Sequence, residues 1–136
     1  MRFEDLTSGD ELTRTVDDLR GEDMKLIAAL LEDPYPPHYD RRRADDLGFP
    51  GLLNQGPANL SYMLQPIIAE LDAPTNLESF DARFHEMVFE DETVTATATV
   101  HETDWETNTV EFGVALRKED GTVAVDGTVT ATFPDE

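Results

Sequence analysis

The sequence predicts an α+β fold in which an antiparallel β-sheet wraps around one central buried α-helix. Alternation in the second half is the first reason. Val94, Ala96, Ala98 and Val100 point one way while Thr93, Thr95, Thr97 and Thr99 point the other. The pattern returns at Val110, Phe112, Val114 and Leu116, and again at Val123, Val125, Val129 and Ala131. A period of two with one apolar face marks strands buried on one side. The second reason is the turn Glu119-Asp120-Gly121, which joins the last two segments as a hairpin. The third is the stretch from Pro57 to about Leu71, where Leu60, Tyr62, Met63, Leu64, Ile67, Ile68 and Leu71 cover most of a helix circumference. One buried helix followed by an antiparallel meander leaves the sheet to close around that helix. The 136 residues suffice for a single core, so the whole span 1–136 is read as one domain.

The remaining elements follow in chain order. Leu12 to Val16 reads as a short strand after the turn Ser8-Gly9-Asp10. Glu22 to Leu31 carries Met24, Leu26, Ile27, Leu30 and Leu31 at the spacing of a one-sided helix. Pro34, Pro36 and Pro37 then hold the chain in a stiff, non-helical loop. Arg41 to Leu47 gives one or two helical turns capped by Asp40, and Gly48-Phe49-Pro50-Gly51 ends them. Pro57 suits the first position of the central helix, where its missing N–H costs nothing. Pro66 lies inside that helix and predicts a kink or an early stop. Phe80, Ala82, Phe84 and Glu86 alternate more weakly and are assigned to a fourth long strand.

Thirty acidic residues face ten basic ones, for a net charge of −20. This describes either an ordinary, well-solvated acidic surface or adaptation to high salt, where a Debye length of roughly 3 Å screens self-repulsion. Either surface repels nucleic acid and anionic membranes, because phosphate binding needs clustered cations. Arg41-Arg42-Arg43 is the one basic cluster. No cysteine is present, which excludes disulfides and thiolate metal sites, and no zinc or iron motif occurs. No signal-peptide pattern is read at the start, and the longest strictly apolar run, Leu26 to Leu31, is far too short to span a bilayer. A cytoplasmic location is the expectation.

The candidate site lies in the proline loop. Asp33 and His38 stand five residues apart on a segment that prolines stiffen, and Gly56-Pro57 opens the apolar helix eighteen residues past the histidine. An oriented carboxylate and imidazole are what proton transfer to and from a water requires. His85 and His101 lie in strand-like segments at no ligand spacing and are read as structural.

In these residues the chain resembles the MaoC-like dehydratases, the hotdog-fold group that includes (R)-specific enoyl-CoA hydratases. That family's signature runs Asp-x-Asn-Pro-x-His, with an Asp-Pro-x-Pro-x-His variant, and here the chain reads Asp33-Pro34-Tyr35-Pro36-Pro37-His38-Tyr39-Asp40 with Ala44 beyond. The family's Gly-rich turn and His-Gly pair are matched by Gly51-Leu52-Leu53-Asn54-Gln55-Gly56-Pro57. Its opening segment resembles Phe3-Glu4-Asp5-Leu6 with Gly9-Asp10-Glu11, and its later strand pair resembles Arg83-Phe84, Val88 and Glu90-Asp91-Glu92-Thr93-Val94. Three departures stand out: Tyr35 where Asn is commonest, Pro37 in place of an aliphatic residue, and Gln55 in place of the His before the glycine.

The resemblance implies a hotdog fold and syn hydration of a trans-2-enoyl-CoA to an (R)-3-hydroxyacyl-CoA. Asp33 and His38 would share one water, and the Gly56 N–H at the helix N-terminus would stabilise charge on the thioester oxygen. No separate cofactor is implied, since coenzyme A belongs to the substrate. Arg41, Arg42, Arg43 and Arg83 are the candidates for its phosphates. The resemblance also implies a homodimer or a dimer-based oligomer, with the acyl-CoA tunnel along the subunit boundary. A hotdog thioesterase is the nearest enzymatic rival, but it needs an acid early on the central helix, and none occurs there before Glu70. A non-catalytic acyl-CoA-binding or assembly subunit is the rival of another class, and Tyr35 and Gln55 are its best support.

Overall fold

The computed structural model describes residues 1–134 and contains one six-stranded antiparallel sheet. Its strands are β1 (Glu11–Val16), β2 (Leu77–Phe80), β3 (Arg83–Phe84), β4 (Val94–Asp104), β5 (Thr109–Lys118) and β6 (Val123–Thr132). They lie in the order β1-β4-β5-β6-β2, with β3 also paired to β6. Three helices accompany them: α1 (Gly21–Leu31), α2 (Arg41–Asp46) and α3 (Gly56–Ile68). Helix α3 packs across β1, β4, β5 and β6, so it is the central helix the sequence predicts.

Alternation decides which face of the sheet is buried. Val94, Ala96, Ala98 and Val100 on β4 and Val110, Phe112, Val114 and Leu116 on β5 all point into the core. The helix face meeting them carries Met63, Leu64 and Ile67. Burying a side chain such as Phe112 or Leu116 is worth about 1.5–3 kcal/mol relative to exposure, so the sheet–helix seam dominates stability.

The structure corrects the sequence reading at four places. The fourth long strand is two short ones, because Asp81 leaves the ladder where the chain crosses Gly127. The Asp81 N–H donates to the Thr128 carbonyl at 3.0 Å, and a Cβ on Gly127 would lie 2.0 Å from the Asp81 carbonyl oxygen. On β6, Leu116 pairs with Val125 but Arg117 pairs with Val123, which makes Ala124 the extra residue of a bulge. The bulge reverses the facing of Val123 relative to Val125, and Ala124 is buried. Helix α1 buries Gly21, Met24 and Ala28 rather than its large aliphatic residues. Leu26, Leu30 and Leu31 remain 57%, 73% and 55% exposed. Finally, α3 starts at Gly56 with Pro57 second, and it ends at Ile68, two residues past Pro66 and short of Leu71.

No helix among the described residues is long and apolar enough to cross a membrane.

Candidate active site

The proline loop is built from hydrogen bonds as well as from fixed φ angles. Helix α1 ends at Leu31, and the left-handed conformation of the next residue, Glu32 (φ 51°), turns the chain back so that the Asp33 N–H reaches the Ala28 carbonyl at 2.9 Å. The Asp33 carboxylate accepts from the Tyr35 N–H at 3.0 Å, a turn typical of Asp before Pro. Pro36–His38 form one 3-10 turn, closed by the His38 N–H on the Tyr35 carbonyl at 3.1 Å. The loop is therefore stiff, as its prolines predict, although its second half is helical at short range.

This geometry brings Asp33 and His38 together. Asp33 Oδ2 lies 3.5 Å from His38 Nε2, and His38 is only 7% exposed. His38 Nδ1 sits 2.7 Å from the Leu53 carbonyl oxygen, which can only accept. Nδ1 therefore carries the hydrogen, and in the neutral ring Nε2 is the basic nitrogen. A carboxylate and a basic nitrogen facing each other at this distance are two acceptors. They need a donor between them, either a shared proton or a water, and this is the arrangement acid–base work on a water calls for. The Tyr35 ring packs edge-on against the imidazole with centroids 5.3 Å apart.

The carbonyl that holds His38 is itself well anchored. The Leu53 N–H donates to the Pro37 carbonyl at 2.9 Å, and Leu53 bridges to Phe89. One residue earlier, the Leu52 N–H donates to Glu90 Oε1 at 2.9 Å and the Leu52 carbonyl accepts from the Glu90 N–H. Arg41 grips the same carboxylate in two-point fashion, Nε to Oε1 at 3.1 Å and Nη2 to Oε2 at 2.7 Å. Gly21 and Gly51 make room for this pair, since a Cβ on either would come within 2.4 Å or 2.7 Å of it. The Arg41 hydrogen bond is the main reason the Glu90 carboxyl is held below its usual range, against an opposing push from burial, and the same bond raises Arg41. Arg41 is thus committed to Glu90, while Arg42 and Arg43 are exposed and cap-bonded through their backbone N–H groups to Asp40.

Glu90→Ala is expected to destabilise the fold by roughly 1–3 kcal/mol, read as a lowered melting temperature, because it leaves the Leu52 N–H and Arg41 without their acceptor. The sign with pH follows from the lowered pKa. The stabilisation is complete above the unfolded carboxyl value near 4.3 and fades as pH falls through the lower folded value. The Glu90→Ala penalty should therefore shrink in acid.

Gly56 is the first residue of α3, so its N–H has no partner within the helix. A Cβ there would meet the Phe84 ring at an ordinary 3.5 Å, so neither crowding nor a left-handed backbone requires glycine at this position. Gly56 and His38 line one groove of about 430 Å³ together with Tyr35, Asn59, Phe84 and Met87. The groove wall thus comes from the loop, the α3 N-terminus and the chain after β3. Arg83 stands instead beside a larger hollow of about 560 Å³ on the outer face of the sheet, with Thr97, Thr99, His101 and Arg117. That hollow contains none of Asp33, His38 and Gly56.

Several polar residues in and behind the groove make contacts that a reading of the sequence does not announce. His85, read as structural, lines the groove and bonds Asp126 at 2.8 Å. Gln55 is wholly buried and donates from Nε2 to the Met24 carbonyl at 3.0 Å, tying α1 to the start of α3. Asn54 and Asn59 are buried and bonded to each other at 2.6 Å. Three amide side chains at 54, 55 and 59, flanking the most apolar helix, were the signal available.

No curated protein matches this chain in sequence. Among solved structures, the R-hydratase PhaJ1 from Pseudomonas aeruginosa in its unliganded form is 22% identical with a TM-score of 0.89, over 99% of this chain and 86% of that one. The (R)-hydratase from A. caviae involved in PHA biosynthesis is 21% identical with a TM-score of 0.85, over 95% and 98% of the two chains. The monoamine oxidase regulatory protein from Archaeoglobus fulgius is 23% identical with a TM-score of 0.74, over 98% and 96%. At these identities the likeness establishes the fold, a hotdog sheet around one helix. A family model described as "MaoC like domain" matches residues 6–120, and the chain belongs to that family.

Proposed function

We propose that the chain is an (R)-specific enoyl-CoA hydratase, or 3-hydroxyacyl-CoA dehydratase in the reverse direction, acting on trans-2-enoyl thioesters. The observation that carries this reading is the pair of facing acceptors, Asp33 Oδ2 and His38 Nε2 at 3.5 Å, of which His38 lines the groove that also holds the free end of α3. A water bridging the two gives up one proton and adds its oxygen to Cβ. The electron pair of the double bond moves toward the thioester oxygen, where the Gly56 N–H and the positive end of α3 offset the charge. A proton then returns from the pair to Cα on the same face, so one H and one OH are added and nothing is oxidised or reduced.

Loss of the enoyl-thioester absorbance of crotonyl-CoA in high salt tests the reading, with the configuration of the hydroxyl in the product. Binding of crotonyl-CoA without turnover would favour a non-catalytic subunit instead.

The CoA phosphates need cations on a protein of charge −20. With Arg41 engaged by Glu90, the exposed Arg42 and Arg43 are the first candidates for this role, and Arg83, beside the separate hollow, is the remaining one. Arg42→Gln, Arg43→Gln or Arg83→Gln should raise KM roughly 2- to 10-fold, equivalent to about 0.4–1.4 kcal/mol, with kcat little changed. Unchanged KM in all three would remove these residues from phosphate binding.

The active form is a homodimer in this reading. Phe80, Phe84 and Met87 are 46%, 56% and 44% exposed beside the β2–β3 edge of the sheet, and Phe84 and Met87 also line the groove. A second copy laid on this edge buries the apolar residues and closes the groove into a tunnel. Light scattering in molar salt should give twice the 15.2 kDa chain mass, and a monomer would exclude the arrangement. Lacking cysteines, the protein suits a reducing cytoplasm.

A further inference from the structure

We propose that Asn59, held in orientation by Asn54, is a second hydrogen-bond donor to the substrate's thioester oxygen. The inference rests on the hydratase reading and names a residue that neither the motif nor its spacing brings forward.

Asn59 is the fourth residue of α3, and its N–H closes the first helical turn on the Gln55 carbonyl at 3.0 Å. Helical side chains tilt toward the N-terminus, so a residue at this position covers the turn that contains Gly56. Asn59 and Gly56 accordingly line the same groove. Asn59 is 4% exposed, and its Oδ1 accepts from Asn54 Nδ2 at 2.6 Å. In this arrangement the Asn59 oxygen is turned toward Asn54 and its nitrogen away from it. The oxygen is occupied by Asn54, and Nδ2 has no acceptor among the described residues, so its two hydrogens are available to whatever fills the groove. The Asn54 backbone is anchored by its N–H on the Val88 carbonyl at 2.8 Å, and its side-chain Oδ1 is buried without a partner among the described residues.

The chemistry asks for such a group. A thioester oxygen gaining charge has two lone pairs, and the Gly56 N–H can serve only one. Among the residues lining the groove, Asn59 is the buried donor on the same helical turn as Gly56, while the Tyr35 hydroxyl and His85 belong to exposed residues outside α3. An unrestrained Asn can turn its own oxygen toward the substrate, where it repels the developing charge. Asn54 prevents this by offering a donor to that oxygen, which makes it a positioning residue while Asn59 touches substrate. The pair also bears on the substitution at Tyr35, since it places an amide in the groove from the helix rather than from the loop.

The test uses the full chain and two readouts: turnover of crotonyl-CoA, and the red shift in absorbance of bound cinnamoyl-CoA, which reports carbonyl polarisation and needs no turnover. Asn59→Asp keeps the acceptor for Asn54 but removes the donor. Asn59→Ala removes both, and Asn59→Ser is a smaller change that retains a hydroxyl. For Asn59→Ala the expected result is a fall in kcat of about 10²–10³-fold with KM little changed, and a reduced red shift. Asn59→Asp should lose at least as much, and Asn59→Ser should retain part of both signals. A purely structural Asn59–Asn54 bond predicts the opposite order, with Asn59→Asp retaining parental kcat and red shift and only Asn59→Ala lowering the melting temperature. That order overturns the proposal. If Asn59→Ala does not fold, Asn59→Asp and Asn59→Ser decide by the same readouts. An inactive parent whose red shift still depends on Asn59 would sink the hydratase reading and leave the donor role standing. A parent with no red shift sinks the donor role.

Discussion

Asp33→Asn and His38→Gln are each expected to lower enoyl-CoA turnover by roughly 10²–10⁴-fold, the range for removal of a general acid–base group. Fold and acyl-CoA affinity should stay nearly intact, for reasons visible in the loop. An Asn at 33 can still accept from the Tyr35 N–H, and a Gln at 38 can still offer an amide hydrogen to the Leu53 carbonyl. What each change removes is one side of the 3.5 Å gap between Oδ2 and Nε2. A bridging water then has only one group to exchange protons with, and syn addition needs both a removal and a return. The double mutant should therefore be little worse than either single mutant, because losing one partner already disables the shared water. Steady-state kinetics with circular dichroism on all three variants checks this. Full activity in either single mutant would move the chemistry away from these residues without touching the fold.

Much of this site was legible because local chemistry fixes it. Three prolines and an Asp before Pro dictate a stiff turn, and a Gly-Pro pair at the edge of an apolar helix dictates a helix start with a free N–H. The strands β4 and β5 were legible for a similar reason, since each buries one face and nothing interrupts the period. The failures share a different cause, which is contact between residues distant in sequence. Nothing near Asp81 says that its chain will cross Gly127. Helix α1 carries Leu26, Leu30 and Leu31 on the face left exposed and turns Gly21, Met24 and Ala28 inward, where Gln55 from the distant start of α3 takes the Met24 carbonyl. Arg41 sits in the one basic cluster, yet its partner is Glu90, 49 residues away. The Asn54–Asn59 pair spans five residues, but its meaning depends on which end of an amide faces a groove, and no spacing rule specifies that.

Raising potassium chloride from dilute to molar concentration should raise the melting temperature. The chain carries thirty acids against ten Lys and Arg. Among the described residues Arg, Lys and the N-terminal ammonium pair only with the carboxylates of Glu4, Glu70, Glu90 and Glu92, while Asp33 and Asp126 face histidines. Of these pairs, Arg2–Glu4 is well exposed and His85–Asp126 nearly half so, which makes them weak and easily screened. Salt thus weakens a few attractions while relieving repulsion among many unpaired acids, and relief wins on number. If screening recovers about 2 kcal/mol, the melting temperature of a chain this size should rise by roughly 6–10 °C. Charge and specific hydration are separable in this experiment. Screening by a Debye length that falls from about 30 Å at 0.01 M to 3 Å at 1 M is a property of ionic strength, so sodium chloride should act much as potassium chloride does. A melting temperature that stays flat or falls with either salt would mean that the acidic surface is ordinary solvation, with its charges far enough apart to need no screening.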